Sequence, residues 1–307
     1  IARKATGRTR IASFTNGFHG MTLGSLALTG NKGKRAGGGV PLNDVTVLPF
    51  DGYHGANVDT VAMIERMLLD GSSGVELPAA FVLETVQAEG GIRVASFAWV
   101  RRLAALAKRL GILFIVDDIQ VGCGRTGRFF SFEEIGIEPD MVCLSKSLSG
   151  FGLPMAMVLL RPHLDVLEPG EHNGTFRGHM PAFVTATAAL EHWRDESLTE
   201  KVDADAEHLR RRLWGMAVGL DAEVRGRGLI QDIAFKDPSI TDAVTSHAFE
   251  NGLIVETAGP RGEVVKVLPP LVIERETLDR GLDILQQAID AVTAERMQTL
   301  DAQGIQA

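Results

Sequence analysis

The chain has 307 residues, of which 45% are hydrophobic and 23% are charged, as in ordinary globular proteins large enough for two domains. Its 31 Lys and Arg against 39 Asp and Glu give a net charge of −8, which excludes a basic surface for nucleic acid or anionic membrane. The two cysteines supply neither a zinc site nor a disulfide framework. With no apolar run of membrane-spanning length and no visible signal peptide, the sequence predicts a cytoplasmic location.

The first stretch, IARKATGR, lacks an initiator Met and reads as the end of a helix already under way. We therefore expect a fragment, or a chain without its natural N-terminus. Further along, four apolar runs without polar alternation predict strands that are covered on both faces. These runs lie at 79–84, 112–117, 141–145 and 155–160.

Between the first two runs, residues 97–111 place Val100, Leu103, Ala107 and Leu110 at helical spacing and end at Gly111. Strand, helix and strand in this order predict an α/β fold with a mainly parallel sheet flanked by helices. The Gly-rich segment 31–44 predicts a flexible loop.

A second α/β pattern begins near residue 197, with a helix to about Gly219. Two strands around a glycine turn follow, then two more strands, and a last helix carries apolar residues at steps of four and three from Leu278 to Val292. The sequence therefore predicts a large domain at 1–196 and a smaller C-terminal α/β domain at 197–307.

Residues 122–127 spell G-x-G-x-x-G after an apolar run, the pattern of a dinucleotide-binding turn. In that fold the first glycine follows the strand directly and the third lies in a helix. Here Asp117 to Gln120 intervene, and the sequence after the glycines breaks at Gly136 and Pro139. We therefore reject a dinucleotide site at this position.

The predicted strands lead to three ionisable residues, Glu84, Asp117 and Lys146. Ligands of open α/β sheets bind at the carboxyl ends of the strands, so these residues are candidates for a site. A lone Lys is usually a surface residue, and the alternative is a Lys that forms a Schiff base. A pyridoxal phosphate (PLP) enzyme needs such a Lys and a carboxylate against the pyridinium nitrogen. From spacing alone, both interpretations of Lys146 stay open.

Seven stretches resemble, in order, the class III (ω-type) aminotransferases of PLP fold type I. They are FHG, ETVQAEGG, VDDIQVGCGRTG, LSKSLSGFGLP, GEHNGTFRG, VRGRGLI and VKVLPPL, and they extend over essentially the whole chain. The resemblance implies a mainly parallel central sheet with helices and a smaller C-terminal domain. It also implies pyridoxal 5'-phosphate as cofactor, amino and keto acid substrates, and a homodimer or higher homo-oligomer with shared active sites.

The same resemblance implies roles for individual residues. Lys146 would form the Schiff base and act as general acid and base, and Asp117 would pair with the ring nitrogen. Gln120 would bond the ring 3-oxygen and Phe18 would stack on the ring, although Phe18 also fits core packing. Thr175 would reach the cofactor phosphate of a neighbouring subunit, although an ordinary turn hydroxyl is the alternative.

His19 is counted with the cofactor-binding residues, although packing explains it equally well, and Glu84 and Glu89 are expected on the substrate side.

Many relatives carry Arg after the aromatic motif, where it holds a distal carboxylate, and this chain has Met21. Lys266 stands where some relatives have Arg before two prolines, opposed by a Glu at the position of Glu89. Arg can bind a carboxylate through two parallel hydrogen bonds, whereas the ammonium group of Lys acts as a single point charge. We therefore expect a different mode of carboxylate recognition in this chain. We also expect Glu89 and Lys266 to act as a gate that controls access of the substrate carboxylate.

Within the family, these stretches closely resemble the diaminobutyrate–2-oxoglutarate aminotransferases of ectoine biosynthesis. The implied reaction transfers the amino group of L-glutamate to L-aspartate 4-semialdehyde and gives L-2,4-diaminobutyrate. Alternatives are another ω-amino acid or acetylornithine-type aminotransferase, a PLP-dependent mutase, or a truncated, non-catalytic dimerising fragment. Because the family's phosphate-binding loop would lie upstream of Ile1, we expect weak PLP retention and poor turnover for these 307 residues.

Overall fold

The computed structural model describes residues 1–175 and 177–302, with side chains as far as 296. In this part of the chain, no helix combines the length and hydrophobicity needed to span a bilayer. The α-helices, in chain order, are α1 (Ala2–Thr6), α2 (Leu23–Leu28), α3 (Lys32–Ala36), α4 (Thr60–Leu69), α5 (Phe97–Leu110), α6 (Met180–Leu190), α7 (Ser197–Ala217), α8 (Pro238–Glu250) and α9 (Arg275–Ala302).

The strands are short, with two to six residues each. In chain order they are β1 (Ile11–Phe14), β2 (Val45–Leu48), β3 (Ala80–Leu83), β4 (Val86–Gln87), β5 (Arg93–Val94), β6 (Leu113–Asp117), β7 (Met141–Leu144), β8 (Met157–Leu160), β9 (Ala222–Arg227), β10 (Ile230–Phe235), β11 (Glu256–Ala258) and β12 (Val264–Val267).

The chain divides into two compact units. The first contains Ile1–Gln87 and Val94–Ser197, and the second contains Ala88–Arg93 together with the residues from Leu198 onward. The domains expected from the sequence, 1–196 and 197–307, stay a prediction, because units defined by contacts within one chain need not fold independently.

A six-stranded sheet in the order β2-β1-β3-β6-β7-β8 forms the centre of the first unit. The first five of these strands pair in parallel, and only β8 runs antiparallel to its neighbour β7. All four residues of β3 are buried, as expected for a strand in the middle of a parallel sheet. The predicted α/β class with a mainly parallel sheet is confirmed.

Helix α5 connects β5 to β6 in sequence and confirms the helix predicted at 97–111. The Ser96 side chain accepts a hydrogen bond from the backbone N–H of Trp99, which caps the first turn. The helix ends at Gly111, whose φ of 60° is a left-handed conformation that glycine adopts without a steric penalty. Trp99 packs edge-on against Phe14 at 5.4 Å between ring centroids, within a core that includes Phe50. This core anchors the strands that lead to the candidate site.

Two sequence predictions are wrong. Strand β8 was expected to be covered on both faces, but it lies at the edge of the sheet and residues 157–159 are between 38% and 48% exposed. Segment 31–44 was expected to be a flexible loop, but it contains α3. The Asn31 side chain caps this helix, and Arg35 donates hydrogen bonds to carbonyl groups at the end of α2. Composition alone did not reveal these two local contacts.

In the second unit, a four-stranded antiparallel sheet has the order β11-β12-β10-β9. Helices α7, α8 and α9 belong to the same unit apart from the first residue of α7. Gly226 near the β9–β10 turn has φ of 126°, and a Cβ atom there would lie 2.2 Å from the carbonyl oxygen of Ile230. The glycine is therefore required by the geometry of the hairpin.

Candidate active site

Three predicted site residues lie at one edge of the first sheet. Strands β3, β6 and β7 are parallel neighbours, with Leu83 opposite Val116 and Asp117 opposite Cys143. Glu84 follows β3 directly, Asp117 ends β6, and Lys146 comes two residues after β7. Because the carboxyl ends of parallel strands meet at the same edge, the sheet brings Glu84, Asp117 and Lys146 to one region.

Asp117 is a buried carboxylate held through both of its oxygens. Its Oδ2 atom lies 2.7 Å from Nδ1 of His19, and the side chains of these two residues are only 7% and 3% exposed. Its Oδ1 atom accepts a hydrogen bond from the backbone N–H of Ile119 at 3.2 Å. A buried carboxylate needs such partners, since an isolated one is costly to desolvate. The arrangement fixes the orientation of Asp117.

His19 is the charged partner of Asp117. Burial alone would lower the pKa of His19, but the hydrogen bond to Asp117 and the charges of Glu84 and Asp117 outweigh it and raise the pKa above its ordinary value. The backbone N–H of His19 also donates to Oγ1 of Thr29 at 3.0 Å, which fixes the main chain at this residue. His19 therefore forms an ion pair and is more than a packing residue.

Glu84 connects the end of β3 to the aromatic motif. Its Oε2 atom accepts a hydrogen bond from the backbone N–H of Phe18 at 2.9 Å, and the residue is 4% exposed. Gly20 completes the motif with φ of 120°, a conformation that favours glycine. The sequence predicts Glu84 on the substrate side but does not predict its hydrogen bond to Phe18.

Lys146 is exposed and begins a short 3₁₀ turn, Lys146–Ser149. Its φ of 48° is uncommon for a residue with a side chain, and such conformations cluster at functional sites. The preceding Ser145 donates from Oγ to the carbonyl oxygen of Met155 at 2.6 Å. At the other end, a Cβ atom on Gly150 would lie 2.5 Å from Cβ of Ala189 in α6. The turn is thus closely constrained on both sides.

The remaining cofactor candidates of the first unit occupy half-buried and exposed positions. Gln120 is half-buried in the turn after β6, and Phe18 is also half-buried. Thr175 is exposed in a turn, and among the described residues its side chain has no hydrogen-bond partner. The rejected glycine motif forms turns with no helix after it, and a Cβ atom on Gly122 would lie 2.8 Å from the carbonyl oxygen of Asp118.

The second unit contains the other predicted pair. Lys266 on β12 is 3% exposed at its side chain, and its Nζ atom lies 2.8 Å from Oε1 of Glu89. A second acid, Glu256 on β11, lies 3.1 Å from the same Nζ atom and is 74% exposed. Sequence reasoning missed Glu256, although its place opposite Lys266 follows from the strand register.

The same register continues across the sheet. Lys266 is opposite Asp232 on β10, which in turn is opposite Arg225 on β9. Together with Glu256, these residues form one row of alternating charge across all four strands. Oδ2 of Asp232 accepts a hydrogen bond from Nη2 of Arg225 at 2.9 Å. Because residues opposite each other share a face, the row places Lys266 among neighbours of opposite sign.

Comparison with known proteins gives the family. The sequence model of aminotransferase class-III matches residues 1–289. A diaminobutyrate–2-oxoglutarate transaminase of Halalkalibacterium halodurans is 52% identical over 295 residues, which cover 95% of this chain and 69% of the relative. A protein of the same name from Streptomyces avermitilis is 54% identical over 294 residues, which cover 94% of this chain and 70% of the relative.

Solved structures agree with this comparison at the level of the fold. A transaminase from work on directed evolution by ancestral reconstruction has a TM-score of 0.85 and 26% identity, covering 96% of this chain and 71% of its own. A Bacillus anthracis aminotransferase has a TM-score of 0.84 and 24% identity, and the match covers 94% of this chain and 72% of that protein's chain. The family match over nearly the whole chain and the relatives above 50% identity lead to one conclusion: this chain belongs to the class III aminotransferases.

Proposed function

We propose that this aminotransferase uses pyridoxal 5'-phosphate, with Lys146 and Asp117 as its catalytic residues. The observation that carries the proposal is the buried Asp117 carboxylate, fixed through both oxygens by His19 and Ile119. It lies on the strand next to the one that leads to Lys146. A buried acid with two fixed donors and a Lys at the same sheet edge is the pair that this cofactor requires.

The residues present fit the cofactor in their chemistry. Asp117 accepts a hydrogen bond from His19, and its carboxylate oxygens would also accept one from a protonated ring nitrogen. Phe18 supplies an aromatic face, and Gln120 supplies an amide in the turn after Asp117. When bound, PLP supplies an electron sink that stabilises negative charge on the substrate carbon.

The residues of the chain have separate tasks in the proposed reaction. Lys146 would hold the cofactor through Nζ, and its amine would move the proton of the substrate carbon that bears the amino group. Asp117 would hold the ring nitrogen in a fixed position, because its own orientation is set by His19 and both side chains are shielded from water. Glu84 keeps Phe18 in place through the backbone hydrogen bond.

We propose L-glutamate and L-aspartate 4-semialdehyde as substrates, with 2-oxoglutarate and L-2,4-diaminobutyrate as products. Support comes from two relatives above 50% identity that are named for diaminobutyrate and 2-oxoglutarate. Transfer of the 4-amino group of diaminobutyrate to 2-oxoglutarate yields the semialdehyde and glutamate, and the proposal is this reaction in reverse. A place in ectoine biosynthesis stays a prediction from the sequence resemblance.

The test is a product assay by mass spectrometry with PLP and [¹⁵N]glutamate as donor. The proposal expects ¹⁵N-labelled 2,4-diaminobutyrate from the semialdehyde and none with Lys146→Ala. A panel with N-acetylglutamate 5-semialdehyde and succinate semialdehyde as acceptors separates the acetylornithine-type and other ω-amino acid enzymes. Faster labelling of either alternative product would contradict the proposed substrate while keeping the reaction class.

Glu89 and Lys266 are proposed to control carboxylate binding on the substrate side. Lys266 is buried with an acid on each side, so a substrate carboxylate can reach its ammonium group only by replacing one of them. Glu89 is the less exposed and closer partner at 2.8 Å, and Glu256 is the more exposed one at 3.1 Å. The proposed gate therefore includes Glu256 in addition to Glu89, the one acid predicted from the sequence.

A second copy of this chain is the proposed partner. Strand β8 and helix α6 expose large apolar side chains, including Val158, Met180 and Val184 at 48%, 68% and 69%. Exposed apolar surface of this kind marks an interaction site. The exposed hydroxyl of Thr175 is proposed to reach the cofactor phosphate of the partner copy. Light scattering coupled to gel filtration tests this proposal, and a monomer at micromolar concentration would contradict it.

A further inference from the structure

Helix α3 places an ammonium group over the aromatic residue of the candidate site. The Nζ atom of Lys34 lies 4.5 Å from the ring centroid of Phe18. The backbone of Lys34 is fixed at the start of α3, because its N–H donates to Oδ1 of Asn31 at 2.9 Å. Arg35, the next residue, donates from Nη1 to the carbonyl oxygens of Leu26, Ala27 and Thr29 at 3.3, 2.8 and 3.0 Å.

The ammonium group of Lys34 is incompletely satisfied. Lys34 is half-buried, and among the described residues no carboxylate pairs with it. The face of Phe18 attracts a cation but accepts no conventional hydrogen bond, so the three N–H donors of Lys34 stay open to an anion. His19, the other cation next to Phe18, is already paired with Asp117.

The surroundings of Phe18 connect Lys34 to the candidate active site within the first unit. The backbone N–H of Phe18 is bound to Glu84, and the next residue, His19, is bound to Asp117. Met21, which follows this motif, is uncharged and 55% exposed, so it offers no partner to a carboxylate. Lys34 therefore supplies an available positive charge over the ring of the residue whose backbone is bound to Glu84.

We propose that Lys34 binds the second carboxylate of a dicarboxylic substrate and so selects glutamate and 2-oxoglutarate over monocarboxylic analogues. This inference rests on the proposed function and adds a specificity-determining residue to it. A dicarboxylic substrate carries a second carboxylate besides the α-carboxylate, and this second carboxylate needs a cation of its own. Aspartate 4-semialdehyde has only one carboxylate, so Lys34 acts in the glutamate half-reaction alone.

The first test needs neither cofactor nor turnover. Amine labelling of the cofactor-free protein, read by mass spectrometry, is compared with glutarate, with butyrate and without ligand. We expect glutarate to protect Lys34 and butyrate to leave it reactive, while the exposed Lys32 on the same helix is labelled equally in all three samples. Equal labelling of Lys34 with glutarate and without ligand, or equal protection by both acids, would overturn the proposal.

The second test is kinetic and uses Lys34→Met and Lys34→Arg, with Lys32→Met as matched control. Loss of one charge-assisted hydrogen bond should raise KM for L-glutamate roughly 10- to 100-fold in Lys34→Met. KM for L-alanine and for the semialdehyde should stay unchanged, and Lys34→Arg should retain most of the affinity for glutamate. An equal rise in KM for glutamate and alanine would show a structural role and overturn the proposal.

If the wild-type protein moves no amino group, the proposed function fails and the labelling result still decides the role of Lys34. If Lys34→Met does not fold, the wild-type labelling experiment and Lys34→Arg remain decisive. The two proposals can therefore fail separately.

Discussion

The ion pair between His19 and Asp117 should make a large contribution to the stability of the first unit. At 2.7 Å and an effective dielectric constant of about 20, two unit charges attract by about 6 kcal/mol, and desolvation offsets much of this. In His19→Leu, the Asp117 carboxylate keeps only the Ile119 N–H and stays buried. Removal of one partner of a buried pair costs about 3–5 kcal/mol, so we expect a loss of that order.

The assay is urea unfolding of the cofactor-free protein, followed by circular dichroism. A double-mutant cycle combines His19→Leu, Asp117→Asn and the variant that carries both substitutions. The matched control is His163→Leu, at an exposed position. The loss in free energy of unfolding in the double variant should be smaller than the summed losses of the two single variants, by on the order of 2 kcal/mol. The reason is that the double variant leaves no buried charge unpaired. His163→Leu should stay within about 0.5 kcal/mol of the wild type.

The pH dependence of the same cycle gives an independent check. The folded-state pKa of His19 is raised, so its contribution is fully present below the ordinary value of 6.5 and is lost as pH rises through the raised pKa. The difference between wild type and His19→Leu should therefore shrink on the alkaline side. Additive losses in the cycle, or a difference that grows with pH, would refute the ion pair.

Two further predictions concern the second unit. Burial raises the pKa of Asp232 to about 6 in spite of Arg225, so its protonation favours the folded state at low pH. This stabilisation is lost as pH rises from about 4 to about 6, and Asp232→Asn should remove roughly 3 kcal/mol of that pH dependence in urea unfolding. Glu89→Gln should destabilise by about 1–3 kcal/mol, because Lys266 is buried, and the exposed Glu256→Gln by less than about 1 kcal/mol. Equal effects of the two Gln substitutions on thermal unfolding would contradict this order.

Sequence reasoning found the residues that follow the central strands, because an apolar run that ends in a polar residue marks a strand end. Asp117 and Lys146 were placed in this way, and the α/β class followed from the order of the runs. The partner of Asp117 could not be found, since His19 is 98 residues away and only the parallel pairing brings them together. Contacts at such separation leave no local periodic pattern.

Composition also misled at particular places. Glycines in segment 31–44 suggested a loop, so the cap by Asn31 and the position of Lys34 over Phe18 went unnoticed. The apolar run at 155–160 gave the strand correctly but not its place at the sheet edge, because an apolar run does not show which strands will lie beside it. Glu256 was missed because its role depends on the register opposite Lys266.

The central claim is that Lys146 and Asp117 hold PLP for transamination, and one spectrum tests it most directly. Because weak retention of the cofactor is expected, the absorbance of the purified protein is recorded at saturating PLP before and after addition of L-glutamate, with Lys146→Ala as control. We expect a band near the visible edge that requires Lys146 and shifts when glutamate is added. A spectrum of free PLP alone, or the same band and shift in Lys146→Ala, would contradict the claim.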